Sequence, residues 1–310
     1  MDTFTSGALG DSARIARRRK ASVPILMLLQ GAVATAVFVI MQWGLVPEEA
    51  FKFLAQAALL IQRDCEDMRG EVWRWWTYQY MHANFGHLVM NVIILILAGI
   101  PLERLLGSIR TMLMLNLGVL GGALCYFVSD PHIEVIGMSG GCYALFGMHW
   151  AHLVMNWGST PYPKEKFCML AAMGVADIVK AQLTWNSRSS HSTHFGGFVA
   201  GLLMGILGDP RRAEQRYATA LRVGALALAA MLVVGCFAWW ILSWPPAEIW
   251  ERVAWCWARQ VQSPSSFGDL DFHCVRCADA ACIAFWTQKP EVRRVDIREC
   301  SRLGWAATGF

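Results

Sequence analysis

The feature that most constrains this chain is a series of apolar runs, several of them long enough to cross a lipid bilayer. A spanning helix needs about 20 apolar residues. The runs are Val23 to Leu45, His87 to Pro101, Thr111 to Val128, Val135 to Trp157, Phe167 to Leu183, His194 to Leu207 and Val223 to Trp244. They predict seven transmembrane helices. The second and sixth are short and carry histidines, which a bilayer tolerates only where protein or a water-filled cavity surrounds them. The first run follows Arg17-Arg18-Arg19-Lys20, as a signal peptide would. It exceeds the ~7–15 residue core of such a peptide and meets no small-residue cleavage site, so it reads as a span. Composition points the same way. Of 310 residues 55% are hydrophobic and 16% charged, against about a quarter charged in soluble domains. The net charge of +4 is spread over loops with no basic stripe of interleaved aromatics. The lipid bilayer is therefore the implied partner, and nucleic acid is not.

Orientation follows from basic residues in short loops. One side collects Arg14, Arg17 to Lys20, Arg104, Arg110, Lys164, Lys166, Arg211, Arg212, Arg216 and Arg222; the other holds Lys52, Arg63, Arg69, Arg74, Lys180 and Arg188. The N-terminus is placed on the cytoplasmic (or matrix) side and the C-terminal tail outside; a bacterial plasma membrane is the first reading and a eukaryotic secretory membrane the alternative. The tail begins at Pro245-Pro246. Glu248 to Gln260 mixes tryptophans with charges and predicts an amphipathic helix on the membrane surface. Six of the ten cysteines (Cys65, Cys256, Cys274, Cys277, Cys282 and Cys300) would share the outer, oxidising side. Disulfides are the first reading, with 15 possible pairings. Free thiols come second, and a zinc knuckle from the incomplete C-x2-C-x4-C spacing third.

Three features fall at one end of the predicted spans. Gly137-Met138-Ser139-Gly140-Gly141 opens the fourth; a serine among glycines permits close backbone approach and leaves its N–H able to face an oxyanion. Alone, this motif reads better as a small-residue helix contact. His194 opens the sixth span, and Gly197, Gly201 and Gly205 follow it at four-residue intervals. That smooth face can press against the Gly137–Gly147 side of the fourth span and bring His194 level with Ser139, where a neutral imidazole can take a hydroxyl proton. His82, His87 and Asn91 lie across the start of the second span. His87 and Asn91 share a helix face, and both can donate hydrogen bonds as an oxyanion hole requires. Two histidines and an amide are a poor metal set, so no metal and no cofactor are expected. His149 and His152 lie two to three turns too deep to act as base. His191 competes with His194 but lacks the glycine face.

In this order, the motifs Trp73-Arg74, His82, His87 and Asn91, Glu103 with Gly107, Gly137-Met138-Ser139-Gly140, Tyr143, and His194 with Gly197 and Gly201 resemble the rhomboid intramembrane proteases, from about Val23 to Pro210. The resemblance implies an all-α membrane fold: a six-helix core, here with a seventh C-terminal transmembrane helix and a small cysteine-containing outer tail. It also implies a Ser–His dyad without an acidic third member, Ser139 as nucleophile and His194 as base. The oxyanion would be held by the Ser139 N–H with His87 and Asn91, and Tyr143 would stack on His194. Gly137, Gly140 and His82 support this site. Thr193 departs from the family's usual alanine, and Trp185 to Ser192 is unusually polar.

The corresponding division is 1–22 a basic cytoplasmic segment, 23–210 the protease core, 211–244 a linker and the seventh helix, and 245–310 the tail. The implied activity is endopeptidase cleavage of transmembrane segments of other membrane proteins near the outer interface. A catalytically silent relative that binds and escorts membrane clients is the alternative; its usual mark is loss of the Ser or His, and both are present. A proton-relay transporter would need acidic residues in the spans and a repeat between halves. Asp177 is the one acidic candidate, better read as a contact with Lys180. Oligomeric state has no signature here.

Overall fold

The computed structural model describes residues 24–42, 69–131, 134–183, 191–209, 217–242, 256–264, 270–277 and 292–295, with Pro47, Ala58, Leu60, Ala281, Ala284 and Phe285. The side chains of Asp177, Lys180, Ala181, Leu183 and the strand residues are outside that description. So are Cys65, Cys282 and Cys300, which leaves the disulfide and Asp177 readings outside the described residues.

Each predicted span contains a helix: α1 (Ile25–Gln42), α3 (Phe85–Leu106), α4 (Ser108–Ser129), α5 (Ser139–Met155), α6 (Pro163–Leu183), α7 (His191–Gly208) and α8 (Tyr217–Leu242). A four-residue helix α2 (Arg74–Thr77) runs into a 3-10 turn, Tyr78–Tyr80, ahead of α3. α1, α3, α4 and α8 are long and apolar enough to cross a membrane on those grounds alone. This is an all-α membrane bundle, as the apolar runs predict.

The bundle is organised around α7, which packs along α5 and α4 more extensively than along any other helix. Small residues explain why. A Cβ at Gly197 or Gly201 would strike the α5 backbone at Gly140 or Ala144, and one at Gly205 would lie 2.5 Å from the Ala151 Cβ. On α4, a Cβ at Gly121 would lie 2.5 Å from that of Ala200. Lipid gives no hydrophobic drive for helix association, so this close contact and its dispersion attraction hold the helices together. α1, α3, α4 and α5 enclose an apolar cluster that includes Met27, Leu95, Leu102, Leu115, Leu145 and Met148. Gly107, at φ 89°, reverses the chain between α3 and α4.

α3 is not a uniform helix. Leu95–Gly99 is π-helical, and the His149 Nε2 lies 3.0 Å from the Ala98 carbonyl there. At the far end from Ser139, Glu103 of α3 is fully buried and accepts the Leu26 and Met27 N–H groups at 3.0 and 2.9 Å. It thus satisfies two of the unpaired donors that open α1.

The tail is a departure from the sequence reading. Cys256–Pro264 (β1), Leu270–Cys277 (β2) and Val292–Val295 (β3) form an antiparallel sheet in the order β2-β1-β3, with Cys256 opposite Cys277. Cys256 to Gln260 is therefore strand, not the end of an amphipathic helix. β1 pairs with β2 along most of its length and with β3 at Ala258 to Gln260.

Candidate active site

Chain direction and strain bring the serine to the helix end. The Gly137 N–H donates to the Tyr78 carbonyl at 2.9 Å, and Gly137 adopts φ 103°, a region that side chains disfavour. The chain then turns into α5, whose first helical residue is Ser139. Its N–H is one of the unpaired donors of a helix N-terminus and sits at the positive end of the helix dipole.

Across from it, the start of α7 carries His194. The His194 Nε2 lies 2.9 Å from the Ser139 Oγ, the distance at which a hydroxyl donates to an unprotonated ring nitrogen. The Tyr143 ring, one turn along α5, stacks on the imidazole at 4.2 Å between centroids and 15° between planes. Because Gly197 rests on Gly140, α7 stands close enough for this reach. Thr193, fully buried, fits because Gly122 and Gly140 leave room: a Cβ on Gly122 would lie 2.9 Å from the Thr193 Cγ2, and one on Gly140 3.2 Å from it.

Asn84 opens α3, its side chain accepting the His87 N–H at 2.9 Å. His87 and Asn91 then project toward Gly137. A Cβ on Gly137 would lie 2.8 Å from the His87 Nε2 and 3.7 Å from the Asn91 Nδ2, so two nitrogen donors converge two residues before Ser139. Asn91 is buried and anchored, donating to the His87 carbonyl at 2.9 Å. His82 is buried behind them, its ring 5.2 Å from that of His87. Burial first, then the neighbouring His87, holds its imidazole down to about 4, with the Tyr80 backbone acting the other way.

Ser139, His194, Tyr143, His87, Asn91, Gly137, Gly140 and His82 thus occupy one end of the bundle. His191 lies 6.3 Å from His194, ring to ring. His149 serves the π-helical segment, and His152 sits at the far end, 3.4 Å from Asp209. Among the described residues no group of three or more His, Cys, Asp or Glu side chains is placed to hold a metal ion. Tyr78 was not singled out from the sequence, although it touches the site twice: its carbonyl takes the Gly137 N–H, and its hydroxyl would stand 3.0 Å from a Cβ on Gly140. An aromatic residue in a loop carries no local signal for either contact.

A family model described as the Rhomboid domain matches residues 69–211. The human Rhomboid-related protein 3 is 34% identical over 159 residues, 48% of this chain and 39% of that protein. Rhomboid-related protein 1 of Caenorhabditis elegans is 34% identical over 143 residues, 44% of this chain and 40% of its own. A protein named Inactive rhomboid-related protein 2, also of Caenorhabditis elegans, is 28% identical over 138 residues, 43% of this chain and 39% of its own. The chain spans about two fifths of the length of these relatives. With the helical bundle and the residues gathered at its end, the match identifies residues 69–211 of this chain as a Rhomboid domain.

Proposed function

We propose that the chain is an intramembrane serine endopeptidase that cleaves transmembrane segments of other membrane proteins. The observation that carries this reading is the 2.9 Å approach of the His194 Nε2 to the Ser139 Oγ. Ser139 attacks the scissile carbonyl while His194 takes its proton. The charge that develops on the carbonyl oxygen faces the Ser139 N–H, His87 and Asn91, donors held in place before the reaction begins. His194 then passes the proton to the departing amine. A water molecule, deprotonated by His194, releases the acyl group from Ser139. Tyr143 limits the imidazole to the orientation this exchange needs.

Hydrolysis needs water, so the proposed reaction requires that Ser139 be reached from the aqueous side. A substrate helix must unwind before its carbonyl is exposed. Segments with Gly or Pro near the interface, the residues that hold a helix least well, are the proposed substrate class. The distribution of basic residues supports a cytoplasmic N-terminus, with Ser139 toward the outer face. The proposed membrane is the bacterial plasma membrane of the sequence reading; the relatives named above are animal proteins.

A second reading, a silent client-binding protein, is favoured by the similarity to a relative named inactive. Cleavage of a transmembrane reporter by the natural chain, lost with Ser139→Ala and with His194→Ala at unchanged expression, supports the protease. A natural chain that retains the reporter on co-purification but leaves it intact supports the escort.

A further inference from the structure

α8 stands at the edge of the bundle. Much of its surface faces outward, with Met231 64% and Val234 68% exposed. It is fastened chiefly at its two ends. At the far end the Arg222 guanidinium donates to the Asp209 carbonyl at 3.0 Å, and Ala218 and Ala225 are buried in the cluster with Ala151 and Leu203. At the site end the Phe237 and Trp240 rings close on Trp75 at 5.4 and 4.9 Å, Phe127 lies 5.1 Å from Trp75, and the Arg69 guanidinium donates to the Ile241 carbonyl at 2.7 Å.

What this end of α8 grips is the segment that leads to the site. Three residues after Trp75 comes Tyr78, fully buried, whose hydroxyl donates to the Val119 carbonyl at 2.8 Å. The carbonyl of Tyr78 receives the Gly137 N–H in the turn that delivers Ser139. Leu60, in the same cluster as Trp75 and Tyr78, pairs backbone to backbone with Val135, two residues before Gly137. An unbroken line of packed contacts therefore runs from Trp240 through Trp75 and Tyr78 to the nucleophile turn.

We infer that α8 is a positioning element for Ser139, with Trp240 and Phe237 as the residues through which it acts; the inference rests on the protease reading above. Close-packed interiors transmit displacement rather than absorb it. Removing the Trp240 ring opens a void beside Trp75, loosens Tyr78 and lets the Gly137 turn shift. A shift of about 1 Å at a reacting group costs up to about a hundredfold in rate.

The test uses the full chain in detergent and in liposomes, with a transmembrane reporter, and compares Trp240→Ala and Phe237→Ala with Trp240→Phe and with Met231→Ala on the outward face. Two quantities are read: the kcat and KM of cleavage, and hydrogen exchange of the Gly137 amide, which needs no activity. Trp240→Ala is expected to lower kcat about tenfold with KM within about twofold and to speed Gly137 exchange, while Trp240→Phe restores both and Met231→Ala changes neither. A Trp240→Ala protein that keeps the natural kcat and Gly137 exchange overturns the inference. So does exchange that rises equally throughout α3 and α4, since that marks general loosening. If the natural chain does not cleave, the protease reading fails, and Gly137 exchange alone decides whether α8 holds the turn.

Discussion

Thr193 shows how much a single side chain at this site depends on its neighbours' lack of one. Its Cγ2 occupies space that Gly122 and Gly140 leave open. Gly140→Ala should therefore destabilise the fold by about 1–3 kcal/mol through overpacking, and Thr193→Ala should recover part of that loss. Thermal unfolding of the two single variants and the double variant would show the non-additivity. His82 sets a pH dependence. Its pKa falls from the ordinary 6.5 to about 4 on folding, so between those values the unfolded chain binds a proton that the folded chain does not. The stability it contributes is complete above about pH 6.5 and is lost as pH falls toward 4. Going from pH 7 to 5 should cost about 2 kcal/mol, and His82→Gln should flatten that slope. At this scale the sequence is most readable where residue type and spacing carry the proposed chemistry, at Ser139, His194, His87 and Asn91, which the fold brings to one end of the bundle. It is silent on Tyr78, whose contacts with Val119, Gly137 and Gly140 are long-range.

At the scale of the element, α7 is legible because its glycines repeat every four residues, and the structure sets that face on α5. Gly201→Leu should drive α5 and α7 apart, separate His194 from Ser139, and lower cleavage at least a hundredfold with a fall in Tm. The same variant keeps every group at the site, so a normal rate would mean that the glycine contact does not set the reach. Glu103 was visible as a motif residue, but not as the acceptor for α1, since that needs knowledge of which helix start lies beside it. Glu103→Ala leaves two buried N–H groups without this acceptor and should cost about 2–4 kcal/mol, read by thermal unfolding in detergent. The tail was misread because an amphipathic pattern of tryptophans and charges fits a surface helix as well as a strand over so short a stretch. Pairing with the neighbouring β2 and the more distant β3 decides it.

For the whole molecule, the apolar runs locate the seven long helices among the described residues, because a bilayer leaves a backbone few alternatives. They did not fix how α8 meets the rest, which depends on rings at Trp75, Phe127, Phe237 and Trp240 separated by up to 165 residues (240 minus 75). The proposed orientation predicts that an epitope inserted between Ser265 and Ser266 is reached by antibody without permeabilising the membrane; labelling only after permeabilisation would reverse it. The π-helical stretch of α3 has a consequence for how this chain can vary. Each residue of an α-helix turns the next by about 100°, and a π segment takes up an additional residue without breaking the helix. The half of α3 bearing His87 and Asn91 is phased to Gly137, and the half bearing Glu103 is phased to α1. Leu95–Gly99 takes up the odd residue between them, so removing one residue there would restore a plain α-helix with both halves near their present phase, whereas removing one elsewhere in α3 would turn one half away from its partner. A change of length by one residue is therefore best tolerated at this one point of α3.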